Sequence, residues 1–452
     1  MIRRIDRTGR WVDGEPDLAA VDDLVAGAVR SPRTRRSWLV AAALAGLGVL
    51  ALALAVFGVF WWYVGIWGVD TPVYWGIAIT SFVWWVGIAH AGTLISAILL
   101  LAEQPWRRSI NRFAEAMTLF AIACAGMYPL LHLGRPELFY WLLPYPNTYG
   151  YWPQFLSPLV WDFFAIATYG TVSLMFWYVG LVPDLATMRD RSTGLRARVY
   201  GLFALGWRGS ARHWERHQTA YLLLAGLATT LVVSVHTIVS FDFAVAQLPG
   251  WHTTVFPPYF VAGAIFSGFA MVLTLLIPVR AWLGLQSFVT ARHLDYCARL
   301  MLTAGLVVAY GYAAELFFGW YSGDPHEREL VASHLHGRSA PLFWLIVGLN
   351  VVLPQSLWWR GARRSTAWLF GLSIAVNLGM WLERWLIVIS SLEHGLLPTT
   401  GGDYWPTFWD WLTLVGTLGF FAFFMLLFLR FVPAIALYEL RELVADRPRR
   451  GA

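Results

Sequence analysis

His132 closes one apolar run and Asp162 lies about one turn inside the next. Between them runs a loop crowded with Pro, Tyr and Trp, and Arg135 stands three residues beyond the histidine; the whole stretch, 128–169, reads YPLLHLGRPELFYWLLPYPNTYGYWPQFLSPLVWDFFAIATY. Ionisable groups set this deep in apolar sequence are costly and are functional candidates by default. An imidazole and a carboxylate at the mouths of two successive helices suit a donor that sheds two protons as it sheds two electrons. Each group accepts one proton, with its affinity tuned by burial. A lipid-soluble quinol is such a donor, and aromatic walls would hold its flat ring. The electrons then need an acceptor, which this chain does not supply, so a partner protein must bring one.

The elements that position these residues are apolar helices. Hydrophobic residues make up 58% of the 452 residues and charged residues 13%, about half the charge of a soluble protein. Ten runs are long enough to span a bilayer: 38–62, 73–101, 113–133, 157–182, 218–241, 258–280, 295–319, 340–359, 365–391 and 406–431. The fold class is therefore all-α and polytopic, with a 1–37 tail, a 38–431 membrane domain and a 432–452 tail. The lead is long for a signal peptide and its first span too long for an h-region, so the amino tail reads as uncleaved. The formal net charge is +6 and all 33 basic residues are Arg. Of these, 29 fall in the two tails and the loops after spans two, four, six and eight. The positive-inside rule places that side, with both termini, in the cytoplasm of a bacterial inner membrane. The charge thus reports topology and not nucleic-acid binding. The outer loops, such as Pro144–Pro153, are the aromatic ones, which reads as an interfacial belt or, more sharply, a docking surface for an extramembrane partner. Leu195–Arg208 interleaves Arg with Leu, Val and Phe, as an amphipathic helix on the inner surface would.

A weak repeat runs through the spans. Ser157-Pro-Leu-Val-Trp resembles Ala340-Pro-Leu-Phe-Trp, and Thr219-Ala-Tyr-Leu-Leu resembles Thr366-Ala-Trp-Leu-Phe. The first offset carries His132 to Glu315 and the second carries His236 to Glu383. Spans two to five (73–241) and six to nine (258–391) therefore read as two four-helix bundles in parallel orientation, flanked by the first and last spans. At about 1.5 Å per residue, His132, Asp162, His236, Asp242, Glu315, Glu383, Arg384 and Asp410 all fall toward the outer side. A smaller set, His90 in GIAHAGT and Glu115 early in span three, lies deeper or inward. With His236, Glu315 and Glu383 it is a candidate proton path. The plainer reading of any one of these is a snorkelling side chain, a structural ion pair or helix–helix hydrogen bonding; Asn377 reads as glue of this kind. Adjacent helical residues do not face each other, which counts against Arg384 neutralising Glu383.

Only two cysteines occur, Cys124 and Cys297, with no CxxC or CxxCH. The chain alone therefore holds no iron–sulfur cluster and no c-type haem, and it shows no metal-site or hydrolytic motif. The segments FVWWVGIAHAGTLISAILLL, INRFAEAMTLFAIACAG, LLHLGRPELFYWLLPYPN and SPLVWDFFAIATYG resemble the NrfD-like family, the polysulfide-reductase membrane subunits, and most of all the C subunits of bacterial alternative complex III. That resemblance implies a menaquinol or ubiquinol site at the outer face, with His132 and Asp162 as the catalytic pair and Asp242 and Arg384 as further members. It implies partners too: c-type cytochrome subunits carrying haem, a periplasmic iron–sulfur subunit and a second NrfD-like membrane subunit. Proton translocation would accompany quinol oxidation in that setting. Three alternatives stay open. One, inside the family, is a quinone-coupled membrane anchor of a molybdenum or sulfur-compound reductase. Another is a secondary transporter, although no span shows the central Gly/Pro break that transporters use. The last is a b-haem cytochrome, for which His90 lacks an obvious partner because His132 and His236 both read as outer.

Overall fold

The computed structural model describes residues 11–13, 32–142, 156–394 and 401–445. In chain order its helices are α1 (Pro32–Trp62), α2 (Ile77–Leu101), α3 (Asn111–His132), α4 (Pro158–Asp190), α5 (Gly194–Phe203), α6 (Ala211–Ala244), α7 (Phe256–Trp282), α8 (Ala291–Tyr321), α9 (Pro325–Leu335), α10 (Ala340–Trp358), α11 (Thr366–Glu393), α12 (Phe408–Phe431) and α13 (Leu437–Ala445). All but α5, α9 and α13 are long and apolar enough to cross a membrane, ten in number among the described residues. The chain is an all-α, multi-pass membrane protein. The aromatic loop Pro144–Pro153, expected to be a belt or a docking surface, lies outside the described residues.

Helices α2, α3, α4 and α6 touch in ring order, and α7, α8, α10 and α11 form a second ring in the same way. The rings meet where α7 packs on α2 and α6. That position explains why α2 and α7 are apolar on every side: 83% and 78% of their most apolar windows are buried, so neither needs a polar face. Small residues allow the close approach. A Cβ on Gly268 of α7 would meet the Ala91 Cβ of α2 at 2.3 Å, and one on Gly48 of α1 would meet the Gly419 Cα of α12 at 2.6 Å. Helices α1 and α12 thus form a tight pair, the small-residue packing expected where lipid removes the hydrophobic drive. The pair is attached to the first ring through α12.

Several details differ from what the sequence leads one to expect. The segment from Leu195 to Arg208 is not one surface helix: only α5 is helical there, and it buries none of its side chains. Span eight is interrupted, against the expectation of unbroken spans. Helix α10 is α-helical to Val347, π-helical over Gly348–Val352 and a 3-10 helix over Leu353–Trp358. Pro354 cannot donate the i−4 hydrogen bond, and Gly348 tolerates the rewinding. Both tails also dock. Trp11 packs its ring on His293 and Tyr296, with Arg292 4.1 Å above it. At the other end α13 sits against α4 and the turn before α3. These docked tails share the Arg-rich face, formed by the connections after α2, α4, α7 and α10.

Candidate functional site

On the face opposite the arginines, the first ring opens into a cavity of about 130 Å³ lined by His132, Asp162 and Asp242. An apolar cavity of about 150 Å³ takes a benzene ring, so one planar head group is of the right size. Each polar residue comes from a helix end. His132 is the last residue of α3. Pro158 starts α4 in the one position where its missing N–H costs nothing, which sets Asp162 about a turn inside. Asp242 lies in the last turn of α6. The remaining lining is apolar and aromatic, including Trp75, Phe82 and Phe163.

The acids are close and uncompensated. Asp162 is only 3% exposed, and it shares the lining of the cavity with Asp242. Oδ1 of each has no partner, and no cation forms an ion pair with either among the described residues. Two buried carboxyls that line one cavity without a counter-ion favour the sharing of a proton. His132 is fixed by its Nε2, 3.4 Å from the Tyr74 carbonyl, between Trp67 and the edge of Trp75 with ring centres 6.3 and 6.5 Å away. In the tautomer where Nε2–H donates, Nδ1 is left as an acceptor. Trp75 in turn stacks on Trp251, whose indole donates to the Ile387 carbonyl at 2.7 Å. The α6–α7 loop therefore roofs the first ring while tied to the second. Sequence reasoning missed Trp75 and Trp251 because, among 27 tryptophans, an aromatic at a span end reads as interface belt.

The other candidates divide into three groups. Glu315 and Glu383 line a cavity of about 40 Å³ in the second ring, with Glu327 and His334; Glu315 and Glu327 also border an open vestibule of about 660 Å³. There Tyr312 donates to Glu383, and Asn350 Nδ2 donates to the Tyr312 hydroxyl at 2.9 Å. Arg384 belongs to this group and does not line the His132 cavity. It pairs with Glu383 at 2.9 Å and covers the Phe260 ring at 4.2 Å. This pairing of neighbours runs against the helical-spacing expectation; the arginine side chain is long enough for its guanidinium to fold back. Glu327 and His334, on α9, carry no sequence signal. Burial and the nearby His394 charge lower His334 to about 4, and burial raises Glu327.

The second group is mid-membrane. His236 is not at the mouth of the bundle: α6 continues to Ala244, eight residues and so about 12 Å further. It meets His90 instead, edge to face with ring centres 4.7 Å apart. His90 bonds its own Val86 carbonyl and stacks on Tyr169. So His90 does have a histidine neighbour, but their contact leaves no gap for a haem plane. Both His236 nitrogens lack partners among the described residues.

The third group lies at the Arg-rich face. Glu115 accepts from Tyr221 at 2.9 Å and pairs with Arg112 at 3.7 Å. Arg112 also pairs with Asp184, whose two oxygens accept the Leu437 and Tyr438 N–H groups at the start of α13. Glu439 of α13 is held by Arg107 at 3.2 Å and by Asn111 at 2.9 Å. Outside these groups, Asp410 is likewise structural, accepting from Thr407 N, Gly68 N and Tyr404 OH. Asn377 joins α11 to α7 through Thr274.

Residues 67–393 match the family described as Polysulphide reductase, NrfD. The chain belongs to the NrfD family. Both rings and all three groups of polar residues apart from the α13 contacts fall inside the match, while α1 and α12 lie outside it. One relative is the putative membrane component, the C subunit, of a dimethyl sulfoxide reductase in Halobacterium salinarum. The two are 27% identical over 422 residues, covering 86% of this chain and 90% of the relative. Another is the C subunit of selenate reductase in Mesobacillus selenatarsenatis, 23% identical over 367 residues, covering 76% and 82%. NrfD proteins of this kind are membrane subunits of oxidoreductase complexes.

Proposed function

We propose that this chain is the quinol-oxidising membrane subunit of a multi-subunit reductase, the quinone-coupled anchor that is the first of the three alternatives above. The observation that carries it is the His132–Asp162–Asp242 cavity: three proton acceptors, no counter-ion, and walls fit for a planar ring. Menaquinol or ubiquinol enters between α2, α3, α4 and α6. One hydroxyl donates to the free nitrogen of His132 and the other to the Asp162–Asp242 pair. Loss of two electrons to a partner's iron–sulfur clusters releases both protons onto these groups and leaves the quinone. His132 orients the ring through its fixed tautomer, and the carboxyl pair supplies the second proton site. The names of both relatives, subunits of a dimethyl sulfoxide reductase and a selenate reductase, favour this setting over alternative complex III.

The second reading is the C subunit of alternative complex III, supported by the HLGRP and SPLVWD strings. There the partners would include c-type cytochromes and a second NrfD-like subunit. In both readings the Arg-rich face is cytoplasmic, by the positive-inside rule, and the cavity faces the periplasm of an inner membrane. In both, too, the two rings are the repeated units. Glu315, Glu383 and the vestibule form the outer part of a proton route, and His90 with His236 its mid-membrane part. The test is purification of the native complex followed by quinol turnover. His132→Ala or Asp162→Asn should cut turnover by about a hundredfold or more in an assembled complex; wild-type turnover removes the site. An oxyanion or sulfoxide reductase among the co-purifying subunits supports the first reading, and multihaem cytochromes support the second.

A further inference from the structure

A chain of direct contacts runs from the His132 cavity through the α6–α7 connection into the second half of the molecule. Trp75 lines the cavity and sets its ring edge-on to His132. One face of its indole stacks on Trp251, with ring centres 5.3 Å apart. Phe243 stands edge-on to both indoles, at 5.9 and 5.0 Å, which limits sliding between them. Trp251 is 4% exposed, and its indole N–H donates to the Ile387 carbonyl at 2.7 Å. Ile387 lies in the π-helical turn Leu386–Ser390 of α11; such turns are rare and gather at functional sites. The preceding residue locks the connection from the other side. Gly250 has φ +78°, a conformation glycine takes without strain. Its N–H donates to Glu327 of α9 at 3.0 Å, and a Cβ there would run into Leu330 and Ser391. The connection is thus clamped to α9 and α11, while its tryptophan backs a wall of the first ring's cavity.

We propose that Trp251 is a positioning residue for the quinol ring, acting through Trp75. The inference rests on the quinol reading of the His132 cavity and adds that one wall of that cavity is held in place from the second ring. A space of about 130 Å³ is no larger than one planar ring needs. The ring's place between His132 and the two aspartates is therefore set by the walls, and small displacements of a bound reactant are costly. If Trp75 backs away, the ring binds more loosely although the proton acceptors stay where they are. Trp251 prevents that retreat: its indole stands behind Trp75, and its bond to Ile387 fixes where that indole sits.

The purified native complex is assayed for quinol turnover across a range of quinol concentrations. Trp251→Phe keeps a ring against Trp75 and loses the bond to Ile387. It should raise the quinol KM about fivefold, the worth of one hydrogen bond. Turnover at saturation should stay within about twofold, because looser ring binding weakens ground and transition states alike. Since Trp251 acts through Trp75, the same substitution in a Trp75→Phe background should add little, the mark of coupled residues. Trp344→Phe also loses an indole bond to a backbone carbonyl, that of Leu335, and should leave the KM unchanged. An unchanged KM in Trp251→Phe overturns the proposal, as does an equal rise on top of Trp75→Phe, which would make Trp251 merely structural. Wild-type turnover in Asp162→Asn would instead remove the quinol reading, and this proposal with it. If Trp251→Phe does not assemble, the wild-type complex decides. A bound quinone-analogue inhibitor should slow deuterium uptake at 248–252. Unchanged uptake there, while uptake slows at the cavity ends of α3 and α4, overturns the proposal.

Discussion

The first ring buries acidic groups at both of its ends, and the two ends treat them oppositely. At the Arg-rich end Glu115, Asp184 and Glu439 each meet an arginine at 3.2 to 3.7 Å, and Asp184 also caps α13. At the other end Asp162 and Asp242 meet each other and a cavity, with oxygens unpartnered. A buried carboxylate with an arginine and backbone donors is held in one charge state and one position. It is a fastener, and removing one member leaves its partner's charge stranded. A carboxyl facing another carboxyl and an open cavity can change its protonation when a ligand arrives. Burial and charge alone do not separate a site from a clamp; the partner does. The second ring lies between these cases, since Glu383 is paired with Arg384 while Glu315 beside it faces the vestibule.

Substitutions at the two ends should part company, and the strongest response is expected at the cavity. Asp162→Asn keeps the volume but cannot accept a proton. Quinol turnover by the purified complex should fall about 10²- to 10⁴-fold with the melting temperature nearly unchanged; a large drop in melting with normal specific turnover would make Asp162 another fastener. Arg112→Ala should do the reverse, costing about 3–5 kcal/mol by stranding Asp184 and Glu115, seen as a lower melting temperature and release of α13 to proteolysis. Asn377→Ala removes one hydrogen-bonded tie between α7 and α11 and should cost about 1 kcal/mol, with turnover per assembled complex intact. A further response concerns pH. Because burial lowers His334 from the usual 6.5 to about 4, the unfolded chain binds a proton there more readily than the folded one between those values. Stability should therefore fall as pH drops from about 6.5 toward 4, by at most about 1.4 kcal/mol per pH unit for this group. His334→Gln should flatten the melting-versus-pH curve over that window.

The ten spans are legible in the sequence because each needs some twenty apolar residues, a requirement met locally and visible without neighbours. His132 and Asp162 are legible for a related reason: charge inside such a run is rare, and consecutive elements are usually adjacent in space. Asp242, set by depth at the same outer level and named for the quinol site by the family resemblance, joins them because α6 closes the first ring. His236 lies about two turns inside the end of α6, slightly deeper than the sequence suggests, because α6 runs on past its apolar stretch to Ala244. Arg384 faces the second ring and not the first, because depth along a helix says nothing of the direction a side chain takes around it.

Length, apolar run and the sidedness of arginine are properties of one segment and its solvent, so the amino-acid sequence alone determined the all-α class, the number of crossings and the depth of most ionisable groups. Which acid would find an arginine, which would find another acid, and which histidine would be left with an idle nitrogen depend on the azimuth of each helix against helices far away in the chain. That azimuth is set by close packing at places such as Gly268 on Ala91 and Gly48 on Gly419, and only the tertiary structure decides it.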